Sequence, residues 1–260
     1  MNELKLRRGK QHAPRRCMLY GVHGWGKSTW AAQFPNHVFL NFEDALHDID
    51  CVSTEPIREL YQLQTIMQSL ITMSDPVDWL VIDTLDWMEQ ILNKQVAEQA
   101  DKESIADIGY GKGPKLALTK WRKFMESLDK LRAIKGTGII AVAHAAVKTI
   151  NPPDQDSYDR YQPALHESAA NLWMEWVDEL FFAGYKTDVV QKDAGFNRER
   201  GVAVGRTRYV RTSESPAILA KRRLELDDEL YKDSWQTYLS AIEGTKQTKS
   251  QPPKKEKSNG

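Results

Sequence analysis

The sequence predicts an α/β fold: a mostly parallel sheet flanked by helices, with antiparallel strands near the C-terminus. Three observations predict it. First, four short apolar runs are continuous rather than alternating, as suits strands buried on both faces of a parallel sheet. They are RCMLY (residues 16–20), HVFLNF (37–42), WLVI (79–82) and GIIAVA (138–143). Second, apolar residues between these runs return at three- and four-residue spacing. Met88, Ile91 and Leu92 form one such set, and Trp121, Phe124, Met125, Leu128 and Leu131 another, which marks helices. Third, strands and helices alternate, so the crossovers cover the faces of one sheet. After Leu172 the pattern shortens to ELFFAGY and GVAVGRTRYVRT, expected to include an antiparallel hairpin, before a last helix over about residues 227–242.

A chain of 260 residues, 41% apolar and 28% charged, can bury a sizeable core. The formal net charge of zero hides an asymmetry. Residues 1–16 carry a net +5, residues 244–260 a net +4, and the 227 residues between them −9. Such basic arms could reach nucleic-acid phosphates, or simply keep the protein soluble. The expected organisation is a flexible basic arm over 1–13, one folded domain over 14–243, and a disordered Lys-rich tail over 244–260. The tail has no large apolar side chain to offset the entropy of ordering. No run approaches 18 apolar residues and the start lacks a signal-peptide pattern, so no membrane partner and a cytoplasmic location are expected. Cys17 and Cys51 make no disulfide framework and no metal spacing, which fits a reducing compartment.

The strongest signal is GVHGWGKST, which matches G-x-x-x-x-G-K-[ST] between a predicted strand and a predicted helix. Gly21, Val22, His23, Gly24, Trp25, Gly26, Lys27, Ser28 and Thr29 are therefore expected around the phosphates of ATP. Glycines let backbone N–H groups close around phosphate oxygens, and a helix start adds favourable partial charge. Lys27 is expected to reach the β- and γ-phosphates, and the Ser28 hydroxyl to help hold Mg²⁺. A metal site also needs a carboxylate at the end of a neighbouring strand, and DWLVIDTLDW supplies Asp83. Asp86 is the rival, but falls past the strand end at the start of the next helix.

Hydrolysis needs a group that orients or deprotonates water. Glu43 stands at the C-terminal end of the second predicted strand, the edge where ligands of open α/β sheets bind. Asp44 is adjacent and points elsewhere if the strand continues. His144 ends the fourth strand at the same edge, where a polar side chain could sense the γ-phosphate.

Taken in order, the phosphate loop, VFLNFEDAL, WLVIDTLDW and IIAVAHAAVK resemble the core motifs of RecA-like recombinases. More closely, DIGYGKGPKLALTKWRKFMESLDKL and SYDRYQPALHESAANLWMEWVDELFFA resemble phage-encoded AAA-domain ATPases of the Sak type, over about residues 15–242. That resemblance implies a RecA-like P-loop core, ATP and Mg²⁺ as cofactors, and a role in phage-type recombination, repair or single-strand annealing. It further implies single-stranded DNA as a partner, a homo-oligomer (ring or filament), and the host cytoplasm as location. Glu43 matches the family's water-activating acid, and His144 stands where the γ-phosphate sensor is usually Gln. Lys221 and Arg223, in PAILAKRRLEL, become candidates for the cations that reach a neighbouring subunit's γ-phosphate.

DNA contact by mobile loops is implied for two regions. DIGYGKGPK (107–115) offers three glycines, Tyr110 and two lysines; KTINPPDQDSYDRY (148–161) offers Tyr158 and Tyr161 but a net charge of −1. Arg206, Arg208 and Arg211, in GRTRYVRT, are expected as a basic strip or a solvated face. Two other classes use the same loop: a small-molecule nucleotide kinase, and a nucleotide-gated adaptor or loader with little hydrolysis. No acceptor pocket or Arg-rich lid identifies the kinase.

Overall fold

A computed structural model describes residues 6, 8–9, 11–193 and 199–247. Its centre is a set of parallel strands: β1 (Arg16–Gly21), β2 (His37–Asn41), β3 (Trp79–Asp83), β4 (Gly138–Ile150) and β6 (Glu179–Asp193). With β7 (Glu199–Arg211) and β8 (Glu229–Leu230) they form a sheet in the order β2-β3-β4-β1-β6-β7-β8, and β5 (Tyr158–Pro163) pairs with β4. The β6–β7 and β7–β8 pairs are antiparallel, as expected for the C-terminal part. Helices α1 (Lys27–Ala31), α2 (Leu60–Thr72), α3 (Leu85–Gln99), α4 (Lys112–Lys135), α5 (Glu167–Trp176) and α6 (Ser234–Gln247) complete the α/β layering.

Period-two alternation explains why the central runs are wholly apolar. Met18, Tyr20, Leu40, Leu80, Ile82, Ile139 and Ala141 pack under α2 to α5. Their neighbours Cys17, Leu19, Phe39, Val81, Ile140 and Val142 pack with Trp30 of α1 and Tyr238 of α6 on the other face. Within the first core, Trp121 meets Trp173 edge to face at 5.6 Å and 89°.

Several expectations are corrected. Residues 148–161 are not one loop: β4 runs to Ile150 and β5 starts at Tyr158, leaving only a turn between them. Their polar composition hid strands, because a hairpin outside the main core needs no continuous apolar run. Tyr161 packs on Phe182 at 4.9 Å and is not free to stack on a base. The region 107–115 is part turn and part helix, since Gly111 caps α4 and Lys112 begins it; Tyr110 is 98% exposed. The last helix starts at Ser234, after a break at Asp233 with φ 55°, and continues to Gln247, past the tail boundary at 243. The expected arm at residues 1–5, 7 and 10, and the tail from 248, lie outside the described residues.

Candidate nucleotide site

Parallel pairing brings the C-terminal strand ends to one edge. Gly21 stands opposite His144 on one side and Ala183 on the other, while Asn41 stands opposite Asp83. The phosphate loop leaves β1 at Gly21. A Cβ there would stand 2.2 Å from the Ala183 carbonyl oxygen, so glycine is required by close approach. Gly26, with φ +95°, makes the left-handed turn into α1. That helix has only five residues, so its dipole is small. Loop amides, Lys27 and Ser28 are left as the groups that could meet an anion and a metal.

The loop is held from below rather than from above. Trp25 is 5% exposed and its Nε1 donates to the Gly184 carbonyl across 2.9 Å. Its indole therefore anchors the loop to β6 and does not cover a ligand. Tyr185 Oη donates to the Gly24 carbonyl at 2.9 Å, and the Val22 amide to Ala183 O at 3.1 Å. His23, Gly24 and Thr29 of the same segment are exposed.

Lys27 is buried and donates from Nζ to the carbonyls of Gly21 (3.3 Å) and Val22 (3.1 Å). Burial pulls its pKa below the ordinary lysine value, and the carboxylates of Asp86, Glu43 and Asp83 partly counter this. Ser28 Oγ donates to Asp83 Oδ1 at 3.1 Å. Asp83 is 1% exposed, and burial pushes its carboxyl up to about 6. A hydroxyl beside a buried carboxylate is an oxygen donor set that fits a small hard cation such as Mg²⁺. Beside it, the buried Thr84 hydroxyl has no hydrogen-bond partner.

Glu43 follows the end of β2, and its amide donates to the Asp83 carbonyl at 3.3 Å, which holds the two acids at one strand end. Asp44 adopts φ 62° and its carboxylate takes a 2.7 Å bond from Arg58, away from the loop lysine. The strand stops at Asn41, whose side-chain oxygen accepts from the Asp44 amide and forms this turn.

His144 lies at the same edge, 9% exposed. Its backbone amide donates to Asp86 Oδ1 at 3.0 Å, and its Nδ1 is 2.7 Å from Asp86 Oδ2. Burial would raise the Asp86 pKa, but the bonds from His144 outweigh it and hold the carboxyl below its usual range. An ionised carboxylate only accepts, so the Nδ1 hydrogen belongs to the imidazole; Nε2 is left to accept from water, or to donate to a phosphate oxygen when the ring is protonated. His23 of the loop stacks on the His144 ring at 3.9 Å. Asp86 is thus the partner that fixes the candidate sensor, a role the spacing did not reveal.

Lys221 and Arg223 are elsewhere. Lys221 exchanges backbone bonds with Leu180, and Arg223 pairs with Asp178 at 3.2 Å. The Asp178 amide bonds to Arg16 O, at the N-terminal edge of the sheet. These cations face away from their own chain's phosphate loop. Of the three expected arginines, Arg211 does not share the face of Arg206 and Arg208: three residues from Arg208, it turns the other way and pairs with Glu229 at 3.2 Å.

A phosphate loop, a strand-end carboxylate hydrogen-bonded to its serine, and a parallel sheet define a P-loop nucleotide-binding protein. A family model described as AAA domain matches residues 13–224, and the chain belongs to that family, whose members are generally ATPases. No curated protein matches the chain. Among the described residues, no helix is long and apolar enough to cross a membrane.

Proposed function

We propose that this AAA-domain protein is a Mg²⁺-dependent ATPase acting on single-stranded DNA in phage-type recombination, repair or annealing. The observation that carries the nucleotide part is the Ser28–Asp83 hydrogen bond beside buried Lys27, with Glu43 at the next strand end. Ser28 and Asp83 would hold Mg²⁺, which when bound neutralises phosphate charge. Lys27 leaves its two carbonyl partners to meet the β- and γ-phosphates. Glu43 accepts the proton of the attacking water. His144, held by Asp86, meets the γ-phosphate through Nε2 and passes its presence to the β4–β5 hairpin, which begins at the next residue.

For DNA, the supporting features are Tyr110, Lys112 and Lys115, all exposed at the start of α4, and the turn of the β4–β5 hairpin. Lys221 and Arg223 act only if a neighbouring subunit receives them, so the reading includes a homo-oligomer. The direct experiment is steady-state ATP hydrolysis with Mg²⁺, with and without single-stranded DNA. Stimulation by DNA supports the reading; phosphoryl transfer to a nucleoside acceptor in place of hydrolysis would replace it with the kinase.

A further inference from the structure

The hairpin arm of β6 and β7 rests against one flank of the phosphate loop. Arg208 stands opposite Tyr185 in the antiparallel register, and Arg206 opposite Thr187. Two residues apart, Arg206 and Arg208 share one strand face. That face looks onto the loop. The Arg206 guanidinium lies over the Tyr185 ring at 4.3 Å, and Tyr185 Oη bonds to the Gly24 carbonyl. A methyl group built on Gly26 would stand 3.5 Å from Arg208 Nη1. Gly26 directly precedes Lys27, so a second full positive charge lies against the segment built to surround phosphate.

Arg208 is exposed and makes no ion pair among the described residues. Arg211 and Arg222, by contrast, each have a carboxylate, as do Arg160 and Arg223. A guanidinium held beside the Gly26 turn that leads into Lys27, with no carboxylate of its own among the described residues, is balanced when a polyanion binds at that loop. Its five donors in a planar fork match phosphate oxygens.

We propose that Arg208 is a further substrate-contacting residue, donating to the phosphate oxygens of a nucleoside triphosphate bound in the phosphate loop of its own chain. This rests on the ATPase reading and adds a cation that acts in cis, distinct from Lys221 and Arg223, which face away from that loop. Arginine fingers that stabilise transition-state charge in P-loop enzymes, in cis or in trans, are worth about 10³- to 10⁵-fold in turnover.

The test uses the full chain and four variants: Arg208→Ala, Arg208→Lys, Glu43→Gln, and Glu43→Gln combined with Arg208→Ala. Turnover of MgATP is expected to fall at least ~100-fold in Arg208→Ala, and by less in Arg208→Lys, which keeps charge without the fork. Calorimetric titration of MgATP is expected to show ~10-fold or more weaker binding to the double variant than to Glu43→Gln. Thermal melts matching the unmodified chain show that the losses are not unfolding. Mixing Arg208→Ala with Glu43→Gln is expected to restore nothing, because each site lacks one of its own groups. Near-normal turnover and affinity in Arg208→Ala overturns the proposal while leaving the ATPase reading standing. Recovery on mixing overturns its action in cis. No MgATP binding by the unmodified chain overturns the ATPase reading and this inference with it.

Discussion

Ser28 Oγ donates to Asp83 Oδ1 across 3.1 Å, joining the phosphate loop after β1 to the end of β3, two strands away in the sheet. On the proposed reading, that buried carboxylate exchanges its hydroxyl partner for a cation. Asp83→Asn is expected to weaken Mg²⁺-dependent nucleotide binding by roughly 10-fold or more while sparing metal-free binding. Titration of ATP with and without Mg²⁺ checks it, and indifference to Asn would move the metal role to Asp86 or Glu43.

Glu43 and Asp44 separate the two acids of one turn. Glu43→Gln keeps size and hydrogen bonding but cannot accept a proton, so ATP binds while turnover falls by ~10² or more. Asp44→Asn, which weakens only the exposed pairs with Arg58 and His47, is expected to stay within a few-fold of normal. Reversal of the two results in single-turnover assays would put the water-activating group one residue later.

Asp86 holds His144 by two bonds. Asp86→Asn keeps an acceptor but removes the charge that supports the imidazole. DNA stimulation of ATP turnover is expected to drop several-fold, with DNA-free turnover changed less, and the pH profile of the stimulated rate to shift. Equal stimulation and an unchanged profile would make the pair a packing contact.

Glu179 supplies a pH test of the fold. It is fully buried, accepts from Tyr238 Oη at 2.8 Å and pairs with Arg15 at 3.3 Å; burial pushes its pKa from 4.5 up to about 6. A carboxyl raised in the folded state contributes stability that is full below about 4.5 and lost as pH rises through about 6. Relative to Glu179→Gln, the unmodified chain is expected to lose ~2 kcal/mol between pH 4.5 and 7. Urea midpoints of both proteins at the two values check this; a gain over that interval would contradict the assignment.

Much of the fold was legible because it depends on periodicity. The apolar runs ending near Gly21, Asn41, Asp83 and His144 mark the parallel strands, and the loop pattern places Lys27 and Ser28. What sequence could not show depends on directions that periodicity does not carry. Glu43 and Asp44 diverge because the turn after Asn41 puts Asp44 at positive φ. Trp25 stands within the phosphate-loop pattern but is buried, since a loop has no regular face. Asp86 meets His144 across 58 positions, and only the β3–β4 pairing brings them together. Arg208 reads as one of three surface arginines until the long hairpin register lays it beside Gly26.

The most direct measurement is the rate of phosphate release from MgATP by the full chain, with and without single-stranded DNA, beside Lys27→Ala. The account expects turnover that needs Mg²⁺, rises several-fold with DNA, and falls to background in the variant, where the cation on the β- and γ-phosphates is gone. Turnover by Lys27→Ala equal to that of the unmodified chain would contradict it.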